Sequence, residues 1–216
     1  MFTGPSAFVD PQSGAVCMFS IMQDQRSGAE EGAAGWAHCV GLTRQIWLND
    51  DGTDVKMKVV DALHQLEGSC IVDGENLTLA QANSELNKVK GDLLYLRATI
   101  VPKDALEFGI EIKKGARRDK TSYSYDVEKG IISGSTKNRG SAAAAGKASG
   151  SLELENGKLK MELYIDRSLV EAFFNDTKSI SIRSYSQYDS QGIELFADGD
   201  ILVEELYVAQ MASIYK

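Results

Sequence analysis

The sequence predicts an all-β protein whose larger part is an antiparallel β-sandwich. Three observations carry that prediction. Apolar and polar residues alternate with period two over most of the chain after Gly68, as in Leu94, Leu96, Ala98 and Ile100 against Tyr95, Arg97 and Thr99. The alternating runs are short and are separated by Gly, Asp and Asn turn residues. Strands that are apolar on one face only belong to antiparallel sheets packed face to face.

The elements follow in order. The run "AVCMFSIMQ" (15–23) reads as a buried strand after the turn "DPQSG". "QIWLNDDGTDVKMKVV" (45–60) reads as a hairpin, with its turn at Asn49–Gly52 and alternation at Val55, Met57 and Val59. Residues 61–68, "DALHQLEG", predict a short helix with Asp61 as N-cap and Gly68 as stop. Strands are then expected around 94–100, 108–112, 159–165, 170–174, 180–182, 193–197 and 203–208. The small, polar stretch Ser135–Ser151 is expected to be a loop between strands. A seam near residues 66–75 separates a Trp-, Cys- and Met-rich first part from the regular strands.

At 216 residues the chain can bury a hydrophobic core without covalent staples. Its net charge of −8 argues against nucleic acid and anionic membrane as partners, and a neutral sugar is indifferent to it. Cys17, Cys39 and Cys70 form no CxxC pair and the two histidines, His38 and His64, lie apart, so neither metal nor cofactor is expected. No apolar run approaches the ~20 residues that span a bilayer. The first residues lack a basic region followed by an apolar one, which places the chain in the cytoplasm, or outside the cell if an upstream segment is missing. The sequons at Asn76 and Asn175 matter only in the second case.

Candidate chemistry gathers in "YIDRSLVEAFFND", Tyr164 to Asp176. Asp166 and Arg167 offer two readings. In one, Asp166 is a nucleophile or base and Arg167 orients a substrate oxygen. In the other, Asp166, Arg167 and Ser168 secure a bend between strands. Glycoside hydrolysis needs two carboxylates roughly 5–9.5 Å apart. Glu171 is the nearest, and on a continuous strand its odd offset places it on the opposite face from Asp166. Trp36 and His38 are expected on one face of a strand, with Trp36 as a sugar-stacking platform or a core aromatic. Tyr123, Tyr125, Tyr185 and Tyr188 are candidates for a lectin-like groove, and "KKGARRDK" (113–120) for a solvated hairpin tip.

The C-terminal third resembles a known family. "LKMELYIDRSLVEAFFNDTKSISIRSYS", "GIELFADGD" and "ELYVAQMASIY" are similar to the terminal β-sandwich of family 32 glycoside hydrolases: invertases, levanases and inulinases. Asp166, Ser168, Glu171, Phe173 and Asn175 match the pattern "hDxSxhExFxNxG". Gly192, Leu195, Phe196 and Ala197 match "GhxLFAxGG", and Ser213, Ile214 and Tyr215 match the closing strand, with Tyr for Trp. "GPSAFVDPQSGAVCMFSIMQDQR" and "GWAHCVGLTRQIWLNDD" look like the last blade of the family's five-bladed propeller, with Thr43 at a usual proline and Arg44 kept.

The resemblance implies a blade remnant over 1–67, ending in a linker helix, and a sandwich over 68–216. It implies a structural role for Asp166, Arg167, Ser168 and Glu171. The family's nucleophile, stabiliser and acid/base motifs, "WMNDPNG", "RDP" and "EC", do not occur here, so no catalytic residue is assigned. The implied function is the non-catalytic C-terminal portion of a fructan- or sucrose-active glycosidase, partnered by a second copy or by a chain carrying the missing blades. The alternative is a lectin-like fructan-binding module using Trp36.

Overall fold

A computed structural model describes residues 2–137 and 146–214. The chain opens with β1 (Phe2–Val9), β2 (Val16–Met22), α1 (Gly28–Ala34), β3 (Cys39–Val40), β4 (Arg44–Leu48) and β5 (Val55–Val59). These strands form one antiparallel sheet in the order β1-β2-β4-β5, with β3 beside β2. The predicted hairpin is β4–β5, registered Arg44↔Val59 to Leu48↔Val55, and Gly52 takes the left-handed φ of 71° that its turn requires.

A 3-10 helix, Asp61–Leu66, leads out of this sheet. The expected cap is absent: Val60 holds the N-cap position, and Asp61 instead binds Lys58 Nζ at 2.7 Å. Gly68 is no stop signal either. It is the second residue of β6 (Glu67–Thr78), where a Cβ would stand 3.1 Å from the Gln210 carbonyl, so the glycine permits close strand approach.

After β6 come α2 (Leu79–Leu86), β7 (Leu93–Pro102), β8 (Glu107–Lys114), β9 (Lys120–Asp126), β10 (Ile131–Lys137) and β11 (Lys147–Ser151). Then follow β12 (Leu159–Asp166), β13 (Leu169–Phe174), β14 (Lys178–Arg183), β15 (Gly192–Ala197) and β16 (Ile201–Met211). They build two packed sheets, β11-β10-β9-β8-β15 and β14-β13-β12-β7-β16-β6. The alternation predicted from the sequence fills the space between them: Leu94, Leu96, Ala98, Ile100, Leu163, Val170, Ala172 and Phe174 are fully buried there.

The flanks of the expected 135–151 loop are paired strands, β10 with β11 from Ser135↔Lys147 to Ile131↔Ser151; residues 138–145 lie outside the described ones. α1 and α2 are additions to the sequence reading. Each begins with a capping box, Ser27 with Glu30 and Thr78 with Gln81, a four-residue signature that was present in the sequence. α2 is pinned to the sandwich by Asn83, whose side chain donates to the Leu195 carbonyl (2.9 Å) and accepts its N–H (2.8 Å).

Candidate functional site

The site is the seam where the first sheet meets the outer face of the six-stranded sheet. Alternation dictates this face. If Leu94, Leu96, Leu163, Val170 and Phe174 point into the core, then Leu93, Tyr95, Tyr164, Glu171 and Phe173 point away from it. Tyr95, Tyr164 and Phe173 are nevertheless buried, because Val59, Leu63, Leu66 and Met211 cover them. The Tyr95 hydroxyl donates to Glu162 at 2.6 Å, and Lys160 stands 2.9 Å from the same carboxylate.

The stretch "YIDRSLVEAFF" is a hairpin rather than a continuous strand. Asp166 pairs with Leu169 and Tyr164 with Glu171, across a turn in which Arg167 has a φ of 50°. Tyr164 and Asp166 share a face, so Asp166 and Glu171 share it too. The expectation of opposite faces fails because two turn residues drop out of the pleat. Both carboxylates line a cleft of about 820 Å³, together with Cys39, Leu42, Leu63 and Arg167.

Sharing a face does not make them a hydrolytic pair. Glu171 is 1% exposed, and both of its oxygens are engaged. Oε1 accepts the Leu42 N–H at 2.6 Å; Oε2 accepts from Arg44 at 2.5 Å and from the Ser181 hydroxyl at 2.9 Å. Arg44 is itself buried, also donates to Ser181 Oγ at 2.7 Å, and lies over the Phe173 ring at 5.3 Å. Gly41 permits this approach: a Cβ there would meet Met22 Cε at 2.4 Å and Glu171 Oε1 at 3.2 Å. Asp166 is exposed at the cleft rim. Arg167 acts through its backbone, donating its N–H to the Asp92 carbonyl (2.7 Å) and accepting from Lys113 Nζ. Burial pushes that lysine down to about 8. The Ser168 carbonyl accepts the Ser184 N–H at 2.7 Å.

A second latch centres on Asp24, whose side chain is fully buried. It accepts from Arg26 Nη2 (2.6 Å), Arg26 Nε (2.9 Å) and the Tyr185 hydroxyl (2.6 Å). Burial raises this carboxyl, but the hydrogen bonds from Arg26 and Tyr185 outweigh it and hold the group well below the ordinary carboxylate range. Arg183, 1% exposed, donates to Cys39 Sγ and to Tyr185 Oη (3.0 Å). A third contact joins Lys178 to Asp54.

The remaining candidates are redistributed. Trp36 and His38 do not sit on a strand. α1 ends at Gly35 in the left-handed region (φ 75°), and Trp36–His38 form the connection to β3. Tyr123 and Tyr125 point into the sandwich and donate to the Val170 and Leu152 carbonyls (3.3 and 2.9 Å). Tyr185 belongs to the Asp24 latch and Tyr188 is exposed, so the four tyrosines line no common groove. The basic segment does form the β8–β9 hairpin tip, though Asp119 within it is buried. Among the described residues, no three His, Cys, Asp or Glu side chains are placed to hold a metal ion. Asp24 and Arg183 carry no signal in the sequence, because they are 159 positions apart and neither sits in a local motif.

Comparison with known proteins gives a consistent picture. The family described as "Glycosyl hydrolases family 32 C terminal" matches residues 62–210. The levanase of Bacillus subtilis (strain 168) is 28% identical over 194 residues, covering 83% of this chain and 28% of that protein. Fructan 1-exohydrolase IIa from Cichorium intybus superposes with a TM-score of 0.81 at 14% identity, over 98% of this chain and 48% of that one. Sucrose-6-phosphate hydrolase from Lactobacillus gasseri gives 0.74 at 17% identity, over 99% and 42%. The chain thus spans under a third of the levanase and under half of these two solved proteins.

Proposed function

The chain belongs to glycosyl hydrolase family 32 through its C-terminal region, and on that premise we propose that it is the non-catalytic C-terminal portion of a fructan- or sucrose-active glycosidase. Its sandwich stabilises and frames a catalytic part made of further β-sheet, supplied upstream or by another chain. Self-association of two copies serves the same need for cover.

The observation that carries this reading is the divided character of the first sheet. One end of one face is bound to the sandwich by the buried Arg44–Glu171 pair and the Val59 cluster. The other face presents Phe8, Phe19, Ile21, Val40 and Trp47 to solvent. An apolar surface of that kind marks an interaction site. The two carboxylates of the cleft do not supply hydrolysis, because Glu171 is consumed by the latch.

The purified chain is expected to release no fructose from sucrose, inulin or levan. Mixed or co-expressed with the N-terminal part of a levanase-type relative, it is expected to bind that part and raise the yield of active enzyme. Fructose release by the chain alone, abolished by Asp166→Asn, overturns the proposal. Light scattering reports the self-association, and a clean monomer with bare Trp47 counts against it.

A further inference from the structure

We propose that Trp36, Arg26 and His38 form a surface subsite that holds one neutral sugar residue by stacking. The choice of a fructosyl unit as its occupant rests on the reading above; the site itself rests on its own geometry.

Trp36 lies on the short connection between α1 and β3 with 46% of its surface exposed. Such an indole on a loop is ordinarily mobile, yet this one is held from two directions. Arg26 lies over the ring at 4.2 Å, and its Nη2 donates to the Trp36 carbonyl at 2.9 Å. The arginine is fixed in turn by two hydrogen bonds to the buried Asp24. A planar guanidinium bound at two points loses little further freedom, so the aromatic platform is preorganised and a ligand does not have to order it.

His38 supplies the second observation. Its φ of 59° is left-handed, a conformation histidine adopts more readily than most side chains. The conformation turns the ring so that Nδ1 accepts the Asp24 N–H at 2.9 Å. In the neutral imidazole the proton then resides on Nε2, leaving that nitrogen as a donor on an exposed residue two positions from Trp36. The buried Arg183 has its Cζ 5.4 Å from the centroid of the indole. Its Nη2 makes no hydrogen bond among the described residues, being 3.7 Å from Asp24.

An exposed indole with the His38 Nε2 donor nearby in the chain suits a ligand with an apolar C–H face and hydroxyls. Two guanidiniums beside one carboxylate disfavour a cation. An anion finds no free guanidinium, because Arg26 is engaged by Asp24 and the Trp36 carbonyl and Arg183 is buried, so the exposed ring suits a neutral sugar. The site has no free carboxylate pair, so it binds and does not cleave.

Trp36 and Trp47 are the two tryptophans of the sequence, so the Trp47→Phe variant makes Trp36 the sole reporter. Titration of that variant with 1-kestose is expected to change its emission saturably. By calorimetry, Trp36→Ala is expected to weaken 1-kestose binding about tenfold. His38→Asn, which tolerates the left-handed backbone but is too short to place a donor where Nε2 stands, is expected to weaken it about threefold. Unchanged near-ultraviolet dichroism of His38→Asn verifies that its fold is kept. The absence of a saturable signal from Trp36, or equal binding by wild type and Trp36→Ala, overturns the subsite. That result leaves the non-catalytic role standing, whereas fructose release by the chain alone removes the role whatever Trp36 does.

Discussion

The first sheet and the sandwich are built from similar residues, yet they reach opposite degrees of closure. In the sandwich, two apolar faces meet, and side chains such as Leu96, Phe174 and Leu206 are fully buried. In the first sheet, Phe8, Val9, Val16, Phe19, Ile21, Val40, Trp47, Leu48 and Val55 remain exposed, nine of the thirteen large apolar side chains so exposed among the described residues. The sandwich completes its own core, and the first sheet does not. What holds the first sheet in place is one small apolar cluster around Val59 and a set of polar ties: Arg44–Glu171, Asp24 with Arg26, Tyr185 and Arg183, and Lys178–Asp54. A unit lacking its own core leans on a few directional bonds, and a buried ion pair is expensive to break one-sidedly.

The sharpest way to break the contrast is Arg44→Ala. It leaves Glu171 buried without its cation, at a cost of about 3–5 kcal/mol. Urea unfolding followed by tryptophan emission, which reports Trp36 and Trp47, should shift to lower urea than unfolding followed by far-ultraviolet dichroism. Coincident shifts would make the two regions a single cooperative unit. Leu206→Ala tests the other side. A cavity in the sandwich costs about 2–5 kcal/mol, and here the dichroism transition should move with the emission following it.

Acid separates the regions more gently. The Asp24 carboxyl titrates lower in the folded chain than its unfolded value of 3.8. Its contribution is therefore present above about pH 4 and is lost as pH falls through the lower folded value. Tryptophan emission should respond in that window, and Asp24→Asn should flatten the response while weakening the seam at neutral pH. The smallest effect belongs to the bare face. Phe19→Thr should alter stability by no more than about 0.5 kcal/mol, while reducing binding of an apolar dye. A large loss of stability would mean that the face is already covered.

Much of this was legible in the residues. The inward set at 94–100, 159–165 and 170–174 follows from period two, and the hairpin at Asn49–Gly52 from its turn residues. The seam was less legible. A continuous strand puts Asp166 and Glu171 on opposite faces, whereas a bend at Asp166–Ser168, the other reading of the stretch, is what the structure has, with Arg167 at a φ of 50°. Trp36 and His38 lie off the expected strand because a helix opened by the Ser27–Glu30 capping box and closed by Gly35 precedes them. The short helix after Val60 follows from the sequence, but Val60 and Glu67 cap it rather than Asp61 and Gly68, since Gly68 serves a close approach between β6 and β16.

The sequence by itself determined which residues face the sandwich core and which family the chain belongs to, because alternation and motif order are local properties of the chain. Only the tertiary structure decided what the outward residues do. Glu171 lies 127 positions from Arg44, and Asp24 lies 161 from Tyr185. A charge is buried or exposed according to what packs against it, and no local pattern encodes a partner at that distance.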